Sequence, residues 1–174
     1  MMLARQSRTA EEREPTMSDR TAIPTLSQWL GGRDRLAELT RGFYTKVPAD
    51  PILGPVFANM DPGHAAHVAD FIDEVFGGPA AYSDAGGSHA GMIGQHLERA
   101  LTETQRRRWF DLMLETADEA GLPDDPEFRA AFVGYLEWGT RLAVINSAPG
   151  VADPAPAMPM PVWGWGPPGG PWKG

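Results

Sequence analysis

The sequence contains no cysteine. That single absence excludes disulfides, thiolate metal centres, cysteine nucleophiles and thioether attachment of any prosthetic group. No run of 18 apolar residues occurs, and residues 1–20 interleave Arg5, Arg8, Arg13 and Arg20 with Glu11, Glu12, Glu14 and Asp19, leaving no continuous apolar stretch. The reading is a soluble, cytoplasmic protein without a membrane span, with Met17 as a second candidate start. Basic residues are the minority, 15 against 23 acidic, for a net charge of -8. A nucleic-acid partner is therefore not expected, because affinity for phosphate backbones rests on clustered Lys and Arg. HExxH, GxxxxGK[ST] and GxSxG are all missing. Gly164, Gly166 and Gly169 match GxGxxG literally, but no strand precedes them and no helix follows, so a dinucleotide site is rejected.

What is present fits one domain, since 42% of the 174 residues are hydrophobic. Residues 1–22 are charged and aperiodic and are expected to be disordered. Residues 148–174 hold eight of 17 prolines, six of 20 glycines and three of six tryptophans, which predicts an extended or polyproline-like tail. Trp163, Trp165 and Trp172 would expose much apolar surface there, so the tail is expected to pack on its own domain, the alternative being a partner protein that takes it in polyproline form.

Between these ends, residues 23–147 read as helical. Leu36, Leu39, Phe43 and Val47 stripe a helix that follows Gly31-Gly32 and ends at Pro48. Asp61 and Pro62 open a second, striped by His64, Val68, Phe71, Ile72 and Val75 and stopped by Gly77-Gly78-Pro79. Gly86, Gly87, Gly91 and Gly94 make residues 79–101 a loop with one or two short turns. Thr102 and Gln105 form a capping box for a third helix with Trp109, Leu112, Met113, Thr116 and Ala120 inward, closed by Gly121. Asp125-Pro126 starts a fourth, with Phe128, Phe132, Tyr135, Leu136, Gly139, Leu142 and Ala143 on one face, ending near Asn146. The class is all-α.

Chemistry must come from few groups. His64, His67, His89 and His96 are the histidines, and imidazole is the side chain here suited to bind a metal as a neutral nitrogen ligand. A lone histidine is usually polar surface; the alternatives for the four are a cofactor-free helical scaffold or a histidine site for a metal ion. Tyr44 and Trp109 are equally readable as amphipathic core. Arg106-Arg107-Arg108 reads as the outer face of the third helix. Glu98 could bond the outer nitrogen of His96 or face water, and the solvated reading is preferred.

Phe43-Tyr44, Val47, Phe57, Phe71, Phe76-Gly77-Gly78-Pro79, Tyr82-Ser83, His89, His96 and Trp109 fall in an order and spacing that resembles the group II truncated globins, over residues 24–147. The most specific block is His89, Met92, His96 and Trp109, similar to that family's proximal histidine followed thirteen residues later by its tryptophan. The resemblance implies a two-over-two helical sandwich holding non-covalent haem b, with His96 on the iron. It implies Tyr44 and Trp109 as distal donors to bound dioxygen and His64 at the distal gate. It places Phe57 at the haem edge and Val68 against the macrocycle, with Phe71 and Met92 as further cofactor contacts; propionates at the pocket rim need neutralising, and His67, one turn after His64, and Arg99, just beyond His96, are the candidates. A dioxygen whose terminal oxygen gathers negative charge needs such donors in a dry pocket. The implied function is reversible binding or transport of dioxygen at a pentacoordinate iron, with NO and CO as further ligands. The alternative is an enzyme for NO dioxygenation or peroxidase-type detoxification, served by a reductase. The resemblance also leaves room for a weak homodimer. Where that family commonly has basic residues before the proximal histidine and an aromatic-proline pattern after it, this chain has Ile93-Gly94-Gln95 and Leu97-Glu98-Arg99.

Overall fold

The structure, a computed structural model, describes residues 22–174. Apart from Ala22, the expected N-terminal extension and Met17 lie outside the described residues. The described elements are α1 (Leu26–Leu30), α2 (Arg33–Lys46), α3 (His64–Val75), α4 (Ala81–Asp84), α5 (His89–Gly94), α6 (Glu103–Glu119) and α7 (Pro126–Asn146), with no strand among the described residues. α2 packs on α3, α6 packs on α7, and α2 crosses α6, which is the layered all-α arrangement. No helix among the described residues is long and apolar enough to cross a membrane.

Local chemistry explains most boundaries. Thr102 accepts from the Gln105 amide while Gln105 bonds back to Thr102, capping α6, and Asp125 with Pro126 opens α7. α1 was not anticipated, although Thr25 and Gln28 form the same capping box. It ends at Gly31, whose φ of 105° suits glycine. The second long helix starts at His64 rather than Pro62, because the Asp61 carboxylate accepts from the Gly63 amide at 2.7 Å and closes a turn around Pro62 first. Gly77, at φ 83°, ends the Phe76 corner against Thr25, where a Cβ would sit 2.9 Å from the Thr25 side chain.

Leu36, Leu39, Phe43, Val47, Ile72, Val75, Phe76, Phe128 and Phe132 form the buried core, with the Phe128 and Phe132 rings stacked 5.7 Å apart. The stripe read along α7 is buried only to Leu136; Gly139, Leu142 and Ala143 are half-buried. None of residues 79–101 is buried, in keeping with the loop and short turns expected there. Arg106 departs from the outer-face reading. Its side chain is only 6% exposed, where it bonds Glu103, Glu137 (2.7 Å) and Thr140 (3.2 Å) and so ties α6 to α7. Arg107 does face solvent, and Arg108 reaches Asp50 at 2.6 Å.

The tail has neither helix nor strand, and it packs on its own chain. Trp163 donates through its backbone amide to the Val75 carbonyl at 2.8 Å and through its indole to the Ala131 carbonyl at 2.9 Å. Trp165, 8% exposed, donates to the Pro24 carbonyl at 2.7 Å and meets Trp29 edge-on. Trp172 stays exposed.

Candidate functional site

Tyr44 lies in the last turns of α2, on a helix face one step round from the core residue Phe43. It is 6% exposed, with its ring edge-on to Phe43, Phe57 and His64 at 4.8, 5.6 and 4.8 Å. Its hydroxyl and His64 Nε2 are 3.0 Å apart, sharing one hydrogen bond. Burial raises the Tyr44 pKa above the ordinary tyrosine value, against the opposing hydrogen bond with Trp109. The phenol therefore keeps its proton and remains a donor. Trp109, in the second turn of α6, is half-buried with its ring 5.1 Å from Phe43. Tyr44, Phe57, His64 and Trp109, which are far apart in sequence, are thus neighbours.

His96 follows α5 in an irregular turn. Its Nδ1 donates to the Met92 carbonyl, four residues back, at 3.0 Å. That bond fixes the tautomer and leaves the Nε2 lone pair with no protein partner among the described residues. Burial lowers the His96 pKa, helped by the charge of Arg99 and opposed by the Met92 bond. Burial also lowers that of His64, with the charges of His67, His96 and Arg99 acting in the same direction. Both imidazoles are thereby kept neutral at pH 7, the state a nitrogen ligand requires.

The remaining predicted residues divide. Val68 and Met92 are half-buried against the core, and Phe71 is buried with Tyr82 at 5.2 Å and His89 at 6.4 Å. His67 and Arg99 are exposed, and Arg99 Nε bonds the Gln95 carbonyl. The four-histidine metal site fails, because no group of three or more His, Asp or Glu converges among the described residues. Glu98 is exposed and does not meet His96; it accepts from the Gly150 amide at 2.9 Å. Sequence reasoning missed Ser147, which is fully buried and bonded to the segment after His96. Its partner lies 46 residues away, and no local pattern marks it.

The model of the bacterial-like globin family matches residues 25–137. A curated group 2 truncated haemoglobin of Bacillus subtilis is 29% identical over 110 residues, covering 63% of this chain and 81% of the relative. Among solved structures, a haemoglobin from the phototrophic bacterium Chloroflexus aurantiacus is 30% identical with a TM-score of 0.60, the match covering 69% of this chain and 97% of that one. A truncated oxygen-avid haemoglobin from Bacillus subtilis is 27% identical with a TM-score of 0.61, covering 70% of this chain and 99% of that one.

Proposed function

The chain belongs to the bacterial-like globin family, among the truncated haemoglobins of group II, and from that premise we propose that it binds dioxygen reversibly at a haem b held by His96. A globin of this kind is a haem protein. The observation that carries the assignment of His96 is its Nδ1–H bond to Met92, which presents a neutral imidazole with a free Nε2 lone pair. The donor set fits the group: one neutral nitrogen, and no cluster of three or more His, Asp or Glu among the described residues to compete with it.

When bound, the haem supplies an iron with an open coordination position for a diatomic ligand. The protein's own residues do the rest. Phe57, Val68, Phe71 and Met92 offer half-buried or buried apolar surface that excludes water from the macrocycle. His67 and Arg99, exposed at the rim, suit the propionates. Tyr44 would supply a protonated hydroxyl and Trp109 an indole N–H to a ligand that carries negative charge, and His64 would orient the Tyr44 hydroxyl through their 3.0 Å bond. The oxygen-avid relative from Bacillus subtilis supports dioxygen as the ligand.

Reconstitution with haemin tests the reading. A Soret band is expected, with a ferrous-oxy spectrum that decays slowly, and His96→Gly should abolish the native band unless imidazole is added. A Soret band unchanged by His96→Gly would show that the ligand is misassigned. Nitric oxide consumption well beyond one equivalent per haem, sustained by a reductase, would add turnover to binding.

A further inference from the structure

The backbone just after His96 is unusual. Glu98 and Ala100 are the two described non-glycine residues with left-handed φ, at 58° and 48°. Side chains with a Cβ are strained there, and such a conformation persists only where the surroundings impose it. Local restraint is slight: the Arg99 amide bonds the His96 carbonyl at 3.3 Å and Arg99 Nε the Gln95 carbonyl, but no side chain of residues 79–101 is fully buried and α5 spans only His89–Gly94.

The constraint comes from the far end of the chain. Ser147, fully buried at the C-terminal end of α7, accepts from the Ala100 amide through its carbonyl at 2.8 Å and from the Leu101 amide through its hydroxyl at 2.9 Å. The same hydroxyl donates to the Val144 carbonyl at 2.8 Å, which fixes its rotamer. Three residues on, the Gly150 amide donates to the Glu98 carboxylate at 2.9 Å. Both strained residues are therefore tied to one short stretch, 147–150.

We propose that Glu98 and Ser147 are positioning residues for His96: their bonds to the end of α7 hold the left-handed turn that follows the histidine and so fix the direction of its Nε2. The inference rests on His96 being the iron ligand. It gives Glu98 a role different from either reading available from sequence, since the carboxylate neither bonds the imidazole nor merely faces water. Met92 sets the tautomer from the N-terminal side, while residues 147–150 set the path of the backbone from the C-terminal side. An imidazole held from both sides loses little freedom on ligation, so the tie strengthens the bond to the iron without touching it.

The test uses the full-length haem-loaded protein with Glu98→Ala, Glu98→Gln and Ser147→Ala. Two readouts are taken: the iron–histidine stretching band of the ferrous deoxy form by resonance Raman, and the rate of haem transfer to excess apomyoglobin. Glu98→Ala should shift or broaden the band and speed haem transfer about tenfold, the lower range for loss of a residue that orients a metal ligand. Glu98→Gln keeps an oxygen acceptor for the Gly150 amide and should restore both readouts. Ser147→Ala should move both in the same direction as Glu98→Ala. If its burial prevents folding, the solvent-exposed Glu98 pair decides alone. A normal band and normal transfer rate in folded Glu98→Ala would overturn the proposal, and so would Glu98→Gln behaving like Glu98→Ala. His96→Gly run in parallel separates the premise: a stretching band that survives it means His96 is not the ligand, whereas a band lost with His96 and indifferent to Glu98 refutes the positioning role only.

Discussion

Replacing Tyr44 by Phe removes one hydroxyl and little else, because the ring that packs on Phe43 and Phe57 is conserved in volume. The hydroxyl is protonated, since burial raises its pKa, so what is lost is a donor. A hydrogen bond to a charged acceptor is worth about 1.5–3 kcal/mol, and each 1.36 kcal/mol is about tenfold in rate. Dioxygen dissociation should therefore accelerate about 10- to 150-fold. His64 loses its partner at 3.0 Å but is only half-buried and can be solvated, so the fold should lose less than about 1 kcal/mol. Trp109→Phe should act in the same direction. The double variant should fall short of the product of the two, because both rings pack on Phe43 and the donors act on one ligand. The assay is stopped-flow displacement of dioxygen by carbon monoxide, with carbon monoxide dissociation as the control. Bound carbon monoxide gathers little charge, so its off-rate should barely move. Two single variants each within about twofold of the parent for dioxygen would refute the distal assignment, and equal acceleration for both gases would show that the effect is access rather than hydrogen bonding.

The tail and the α2 corner give two stability predictions. Trp165→Ala should cost about 3 kcal/mol in urea unfolding of the haem-saturated protein, because it opens a cavity at a residue 8% exposed and strips the Pro24 carbonyl of its donor. Trp172→Ala, at a residue 53% exposed, should stay within about 0.5 kcal/mol. Equal losses for the two would mean that the tail is not anchored through Trp165. Burial opposes ionisation of Asp50, yet the Arg108 guanidinium and the Leu53 and Ile52 amides outweigh it and hold the carboxyl below its ordinary range. A depressed folded pKa gives stability that is present above the unfolded value and fades as pH falls through the folded one. Asp50→Asn should therefore cost about 1 kcal/mol at pH 7, and the difference from the parent should shrink as pH falls below the ordinary aspartate range; a difference that does not shrink with acidification would contradict the ion pair.

The four long helices were legible because their signals are local. The Thr102–Gln105 box, Asp125-Pro126 and the stripe Leu36, Leu39, Phe43, Val47 each lie within a few residues. α1 was equally legible in principle, through Thr25 and Gln28, but five residues carry too little apolar periodicity to draw notice to a cap. Arg106 was not legible. Its burial depends on Glu137 and Thr140, 31 and 34 residues away, and a three-arginine run looks solvated until its partners are known. The tail's destination was hidden for the same reason. Its composition predicted that Trp163, Trp165 and Trp172 need cover, and Trp172 stays exposed, while the cover found for the other two, at Val75, Ala131 and Pro24, is fixed only by the packing of α1, α3 and α7.

The candidate site shows where that limit falls within a few residues. His96, Tyr44 and Trp109 are singled out together because the resemblance supplies a spacing, and the structure adds the Met92 bond, which leaves His96 Nε2 without a protein partner among the described residues. Leu97-Glu98-Arg99 departs from the family's aromatic-proline pattern, and from sequence Glu98 could be read only as a partner of the His96 outer nitrogen or as solvated. A proline or a packed aromatic would restrain the turn after the histidine through its own ring. Glu98 has neither means, and its left-handed backbone would be poorly restrained without Gly150 and Ser147. The departure and the distant tie therefore have one physical explanation: restraint that elsewhere can be written into neighbouring residues is supplied here by residues 147–150. A change at either end should then act on the same property, the direction of the His96 ring, despite some fifty residues of separation in sequence.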